Sequence, residues 1–535
     1  MSEQVLVSDY IASVLAERGV PAVFEMSGGM IARLLDSLYR LGETRVVSMH
    51  HEQSAAFAAG AAGAITGVPA VALATSGPGA TNLLTGIGAC YFDSQPAVFI
   101  TGQVNRSELK GDRPIRQLGF QETDIVSIAS PIAKAAWRVY TPEEVPERLS
   151  AAFELAVAGP PGPVQLDIPM DVFGSRIGSD IIARRERHEA LADAAAVADL
   201  LEALARAERP LILAGGGVRT SGGVPVLREL LGTLALPLVS SLHGIDVLPY
   251  DHPQHYGMIG SYGNRWANGA IGRADLLLVL GSRLDIRQTG ADTAFFKSDR
   301  TIFHVDCEPG EINHRVTGCR AVVGDVRVFL EAVAARAGER MSWSGWQDEL
   351  DEQREQWPDT SEIRELEGIN PNVLMHELSA ASTAAGAFVA DVGQHQMWAA
   401  QSLELSEGQR FMTSGGMGAM GSGLPLAVGI GVIDPRPVVL IAGDGSFQTN
   451  IQELETVVRN RLPIKIVIVN NHCHGMVRQF QESYFDGRYP STLLGYSAPS
   501  FAAVAAAYGI SARAIEDPDE VEDGLAGLWD DPLAP

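Results

Sequence analysis

Short runs of Val, Ile, Leu and Ala recur along the chain: "PAVALAT", "PAVFITG", "PVQLDIP", "PLILAGG", "LPLVSS", "DLLLVLG", "TIFHVD", "AFVADVG", "PVVLIAGDG" and "IKIVIVNN". Their apolar positions are consecutive rather than alternate, as in strands buried on both faces. The intervals between them carry helical patterns, so the chain is predicted to build parallel sheets in an α/β architecture. Several runs end in Gly, Asp, Ser or Asn. Ligands of such sheets gather at the carboxyl ends of strands, which makes these polar endings candidate site positions.

Two charge-rich passages break the pattern, "FGSRIGSDIIARRERHEALADAA" near 173–195 and "RAGERMSWSGWQDELDEQREQWPDTSEIRELEG" near 336–368. Both read as partly helical, solvated connections between units spanning about 1–180, 190–340 and 365–535. Three units suit a chain of 535 residues, too long for one core when a domain takes roughly 150.

Composition changes this picture only by exclusion. A formal charge of −25 opposes broad contact with nucleic acid or an anionic membrane, because phosphate binding needs clustered Lys and Arg. The start, "MSEQVLVSDYIASVLAERG", lacks a basic segment followed by an apolar one, and no apolar run reaches the roughly 18 residues of a membrane span. A cytoplasmic protein is expected. Cys90, Cys307, Cys319 and Cys473 form no CxxC pair, so neither a disulfide framework nor a zinc site is indicated.

The stretch "GDGSFQTNIQELETVVRNRLPIKIVIVNN" (443–471) concentrates the chemistry. Gly443 and Gly445 allow a tight turn around Asp444, "NIQELETVVRN" reads as a helix and "IKIVIVNN" as the next strand. A right-handed parallel crossover brings both strand ends to one edge and sets Asp444 beside Asn471. A carboxylate and an amide oxygen suit Mg²⁺ carrying diphosphate oxygens. Alone, GDG is more often a helix cap with the asparagines satisfying a turn, and it is the NN at the next strand end that turns the reading toward a cation site. A second constellation is Glu52, which ends an apolar strand and opens an Ala/Gly helix near the loop "ATSGPGATN". An acid there is either a first-turn carboxylate favoured by the helix dipole or a functional group.

With "DVGQHQMWAAQ", "FMTSGGMGAMGSGLPLAVGI" and "GMVRQFQ", these segments closely resemble the acetohydroxyacid (acetolactate) synthase branch of thiamin diphosphate enzymes, over nearly the whole chain. The resemblance implies three doubly wound parallel-sheet domains (pyrimidine-binding, central and diphosphate-binding) and a homo-oligomer, dimer or tetramer, with active sites between subunits. It implies that Glu52 activates the cofactor at its pyrimidine nitrogen, that the Gly418 carbonyl orients the aminopyrimidine and that Met420 props the bent cofactor. Asp444, Asn471 and the Cys473 main-chain oxygen would bind Mg²⁺. Gln394, His395, Gly443, Gly445, Ser446, Gly475 and Met476 would surround the diphosphate, and Gly29, Phe120 and Gln121 the reacting centre.

In the middle unit Gly215, Gly216 and Gly217 follow a strand, a pattern that alone is more often a tight turn. With Gly260, Arg283, Asp285 and Arg287 the unit resembles the family's central domain, which holds a largely structural FAD. Arg287 also matches an arginine that recruits the second 2-oxo acid, where a guanidinium fork suits a carboxylate.

Departures from the family cluster around the acceptor: "GYPGGA" becomes "EMSGGM" with Met30, the lysine of "LPKDV" becomes Met170, and the tryptophan of "QWQ" becomes Phe480. That tryptophan is associated with preference for 2-oxobutyrate. The sequence stops at "DDPLAP", about where a further strand of the family would follow. The expected activity is decarboxylation of pyruvate and ligation of the two-carbon fragment to a second carbonyl compound. Non-ligating decarboxylation, acetyl transfer to phosphate as in sulfoacetaldehyde acetyltransferase, and a cofactor-binding regulatory paralogue are the alternatives, the last opposed by retention of Glu52, Asp444 and Asn471.

Overall fold

The structure is a computed structural model that describes residues 4–180, 192–338, 341–361, 363 and 367–535. Three parallel sheets organise it, of six, six and four strands. In the first, the buried runs Ala70–Ala74, Ala97–Gln103 and Pro163–Pro169 lie side by side, flanked by Val23–Glu25 and Val46–Ser48 on one edge and Ala135–Arg138 on the other. Consecutive apolar positions divide between its faces: Val71, Leu73, Val98 and Ile100 enter one core, and Ala72, Ala74 and Phe99 another. Helices cover both faces, as double winding requires. An antiparallel pair, Gln4–Leu6 with Arg176–Gly178, closes the unit's two ends on each other.

The central sheet runs in the order His255–Met258, Leu238–Ser240, Pro210–Ala214, Leu276–Leu280, Thr301–Asp306, Arg320–Val323. Within the passage read as a solvated connection, helix Ser344–Gln356 buries Trp346 and Leu350 against this sheet. Residues 181–191 of the other passage lie outside the described residues. The third sheet orders Arg410–Met412, Ala387–Ala390, Val438–Gly443 and Ile464–Val469.

The first and third sheets share one core. Helix Glu52–Thr66 and helix Gly423–Ile433 pack together between them, and a Cβ on Gly429 would stand 2.3 Å from the Ala58 carbonyl oxygen. The Ala/Gly composition of the Glu52 helix is explained by this close approach, which also fixes Glu52, at the helix start, relative to the third sheet.

Two local readings are corrected. The strand before Glu52 ends at Ser48, and His51 intervenes as the helix N-cap, its ring accepting the Gln53 N–H at 3.0 Å. The "NIQELETVVRN" segment is not one helix: a 3₁₀ stretch Gln448–Glu453 kinks at Asn450 (φ −128°, ψ 30°) before helix Leu454–Asn460. The kink accompanies an Asn450 amide that donates to the Gly421 carbonyl (2.8 Å), a long-range bond to the neighbouring loop.

Candidate active site

Strands Val438–Gly443 and Ile464–Val469 pair in register, Gly443 opposite Val469, so the chain leaves both at one edge. Asp444 follows directly and is 2% exposed. Asn471, two residues past the other strand, donates its Nδ2–H to Gln394 Oε1 (3.1 Å) while its Oδ1 accepts the Cys473 N–H (3.1 Å). Gln394 opens helix Gln394–Ser402 at the end of the adjacent strand. A Cβ on Gly475 would meet Gln394 Oε1 at 1.9 Å, one on Gly443 the His395 ring at 2.8 Å and one on Gly445 the His474 ring at 2.7 Å. The absence of side chains at these three positions lets Gln394, His395 and His474 pack directly against the strand-end backbone. Ser446, 2% exposed, accepts the Gly443 N–H. Met476 lies on the first turn of helix Gly475–Tyr484.

Two buried titratable groups stand behind this edge. Burial pushes the His395 imidazole down to about 3, against a hydrogen bond to the Asp391 backbone, so the ring is neutral at pH 7. Its Nε2 is buried without a partner among the described residues. Burial raises the Asp391 carboxyl to about 6, against backbone N–H donors that include Val392 (2.7 Å) and Gly421 (2.9 Å). Asp391 thereby holds the turn containing Gly418 and Met420. Gly418 takes φ +65° with open space at its Cα, and Met420 is 40% exposed. The base of the same loop is tied to both other units: Asp93 Oδ1 accepts the Gly416 N–H (2.6 Å) and lies 3.1 Å from His243 Nε2.

At the edge of the first sheet, Glu52 is 7% exposed and its Oε2 accepts Asn82 Nδ2–H at 2.9 Å. Gly79 brings its Cα close to Glu52 Oε1, and Gly28 and Gly79 both press on Thr75. Gly77 (φ +65°) backs onto Gln121, itself left-handed at φ +66°, whose carbonyl accepts the Ser76 hydroxyl (2.6 Å). A strained non-glycine residue over-determined by its neighbours is a feature of functional sites. Phe120 beside it is 81% exposed, and Gly29 has nothing near its missing side chain. The two edges meet through Asn450, which accepts the Ser54 hydroxyl (3.1 Å) and lies 3.2 Å from Gln53 Oε1.

The central candidates also converge at a strand edge, but their glycines serve the protein itself. Gly215 and Gly217 pack on Gly281, where Cβ atoms would fall 2.2 and 2.5 Å from its backbone, and Gly260 (φ +109°) packs on the Arg287 carbonyl. Asp285 caps helix Ile286–Thr289 through the Arg287 N–H (2.8 Å). Arg283 is half-buried, and Arg287 is exposed with its guanidinium over the Tyr262 ring (5.9 Å). Of the acceptor residues, Met30 backs onto Gly102 and Met170 follows strand Pro163–Pro169, whose Ile168 pairs with Gly102, so these two share one edge. Phe480 is 54% exposed on helix Gly475–Tyr484 in the third unit, its ring tilted against those of Tyr484 (centroids 4.6 Å) and Phe485 (5.8 Å).

Sequence reading missed Asn82, Asp391, Asn450, His474 and Tyr496. Asp391 was within reach, because it closes the apolar run "AFVAD" by the same rule that singled out Asp444. Asn450 and Tyr496 act through side-chain contacts with distant segments, for which no local pattern exists.

A cation at Asp444 would need uncharged oxygen ligands: no group of three or more His, Cys, Asp or Glu able to hold a metal exists among the described residues. One carboxylate, one amide and a main-chain oxygen, completed by diphosphate, fit that constraint. No helix among the described residues is long and apolar enough to cross a membrane.

Comparison with known proteins bears on the same regions. Three family profiles match: the N-terminal TPP binding domain of thiamine pyrophosphate enzymes over 6–128, their central domain over 197–333 and their C-terminal TPP binding domain over 391–531. The chain is 37% identical to the acetolactate synthase isozyme 2 large subunit of Escherichia coli, across 97% of this chain and 92% of that protein. It is 37% identical to the acetolactate synthase of Arthrospira platensis (93% and 87%) and 33% identical to the acetolactate synthase large subunit of Lactococcus lactis (98% and 90%). A strand-end Asp and Asn, a buried glutamate in the first turn of a helix and this full-length similarity agree, and the chain belongs to the acetolactate synthase large-subunit family of thiamine pyrophosphate enzymes.

Proposed function

We propose that the protein decarboxylates pyruvate with thiamin diphosphate and ligates the two-carbon fragment to a second carbonyl compound, giving acetolactate when the acceptor is also pyruvate. The observation that carries this reading is the pair of buried acids, Asp444 beyond a strand end of the third sheet and Glu52 at the start of the helix packed on the first. Bound thiamin diphosphate supplies the electron sink for decarboxylation and the carbon nucleophile for ligation.

The chain's own groups then divide the work. Asp444, Asn471 and the Cys473 carbonyl would hold Mg²⁺ against the diphosphate, with Gln394 orienting the Asn471 amide. The glycines at 443, 445 and 475 let Gln394, His395 and His474 lie close against this edge, beside where the diphosphate would bind. Glu52 would hold a proton at the pyrimidine ring, steadied by Asn82. The Gly418 carbonyl would receive the amino group and Met420 would support the cofactor's bend. Gly29, Phe120 and Gln121 would border the reacting carbon, where excluding water favours ligation over release of an aldehyde.

The units 1–180, 190–340 and 365–535 would serve as pyrimidine-binding, central and diphosphate-binding domains. We place FAD in the central one on Arg283 and Arg287; Gly215, Gly216, Gly217 and Gly260 carry no weight for it, three of them being occupied by backbone packing. A homo-oligomer with sites between subunits and a cytoplasmic location complete the reading, and the exposure of Phe120 and Met420 beside the site supports the first of these. Incubation with pyruvate, thiamin diphosphate, Mg²⁺ and a panel of carbonyl acceptors, followed by mass spectrometry, tests the function. Acetolactate and mixed acyloins are expected. Acetaldehyde alone from pyruvate, or acetyl phosphate and sulfite from sulfoacetaldehyde and phosphate in a parallel incubation, would replace the reading with one of its alternatives. Flavin released on heating the purified protein checks FAD separately.

A further inference from the structure

Beyond Asn471 the chain does not run on as a simple strand end. It makes helix Gly475–Tyr484, turns, and comes back so that the His474 N–H donates to the Thr492 carbonyl (3.1 Å) and Gln481 Nε2–H to the Pro490 carbonyl (3.1 Å). The return delivers Tyr496 to the Asp444 turn. Its hydroxyl donates to Asp444 Oδ2 at 2.8 Å, and its ring lies edge-on to His474 (centroids 4.6 Å), the imidazole that covers Gly445. Oδ1 of Asp444 accepts no hydrogen bond from a described residue, while Gln448 Nε2–H donates to the Asp444 carbonyl (3.0 Å) and secures its backbone.

A carboxylate that must offer one oxygen to a cation needs its rotation about the Cβ–Cγ bond stopped. A neutral hydroxyl stops it without cancelling its charge, as an arginine or lysine partner would. We propose that Tyr496 is a positioning residue for Asp444: it grips Oδ2, presents Oδ1 to a divalent cation held with the diphosphate, and so links the folding-back of residues 472–496 to cation binding. This rests on the reading of Asp444 as a cation ligand.

The test is Mn²⁺ binding to the whole protein with saturating thiamin diphosphate, followed by the paramagnetic resonance of free Mn²⁺. It compares the parent, Tyr496→Phe and Asp444→Ala. Tyr496→Phe keeps the ring on His474 and removes only the hydroxyl, so Mn²⁺ should bind on the order of 10- to 100-fold more weakly. The melting temperature measured without metal should stay unchanged, and kcat should recover at high Mg²⁺. A purely structural role would instead lower the melting temperature and leave the metal requirement as it was. Unchanged or tighter Mn²⁺ binding in Tyr496→Phe, with binding lost in Asp444→Ala, would overturn the proposal for Tyr496 alone. Undiminished binding in Asp444→Ala would overturn the cation-site reading beneath it.

Discussion

The edge at Asp444 and the proposed acceptor region differ in how their residues are held. Asp444, Asn471 and Gln394 follow neighbouring strands of one parallel sheet, so register alone brings them together, and a second layer of bonds from Tyr496 and Gln448 fixes Asp444. Met30 and Met170 share an edge of the first sheet, but Phe480 sits on an exposed helix of the third unit and Arg287 on an exposed turn of the central one. The proposed cofactor chemistry is thus tied to the backbone, and the proposed acceptor choice to side chains on separate surfaces. Substitutions at the first place should abolish a step, whereas those at the second should shift a preference.

The largest effect is expected from Asp444→Ala, which removes the one buried charge of the proposed cation site. Calorimetric titration with thiamin diphosphate and Mg²⁺ should show binding weakened on the order of 100-fold or more. Undiminished affinity would place the diphosphate elsewhere. Next, if each site draws Glu52 from one subunit and Asp444 from another, mixing inactive Glu52→Gln and Asp444→Ala chains under exchange conditions should restore roughly a quarter of the parent activity for a dimer. No recovery would mean both edges serve one site within a chain.

A smaller effect concerns stability. The Asp391 carboxyl is raised from 3.8 to about 6 by burial, so the folded protein binds a proton more tightly than the unfolded chain does. Ionising it costs stability progressively as pH rises through that window, on the order of 2–3 kcal/mol when complete. Asp391→Asn keeps an acceptor for the Val392 and Gly421 N–H groups and removes the charge. Melting temperatures of the cofactor-free proteins should coincide near pH 4 and diverge by pH 8 with the variant higher; parallel profiles would contradict the assignment. The smallest effect belongs to Phe480→Trp. One methylene of acceptor is discriminated by about 1 to 3 kcal/mol at most, and a ring half open to solvent should deliver the lower end. Competition between pyruvate and 2-oxobutyrate should move by about tenfold or less toward 2-oxobutyrate. A parent protein that already prefers 2-oxobutyrate strongly would show that Phe480 does not set the pocket.

What was legible in the sequence follows the same division. Long central strands such as Ala97–Gln103 and Val438–Gly443 are buried on both faces and announce themselves as apolar runs. Edge strands such as Val46–Ser48 and Arg320–Val323 are short and partly exposed, so their composition merges with that of loops. That the strands before Asp444 and Asn471 end at one edge could be foreseen because a parallel crossover dictates it. The Asn450 kink, the Tyr496 bond and the Asp93–Gly416 tie could not, since each depends on a partner far along the chain. The glycine triplet at 215–217 shows the converse: a ligand-like pattern whose first and third members are explained by packing on Gly281.

The central claim is that Glu52 and Asp444, on different sheets, act on one bound cofactor. Exchange of the C2 proton of protein-bound thiamin diphosphate for deuterium, followed by NMR, reports the step assigned to Glu52 before any substrate is involved. In Glu52→Gln, with cofactor still bound because Asp444 is intact, exchange should slow by about 10² to 10⁴. Exchange at the parent rate in that variant would contradict the account.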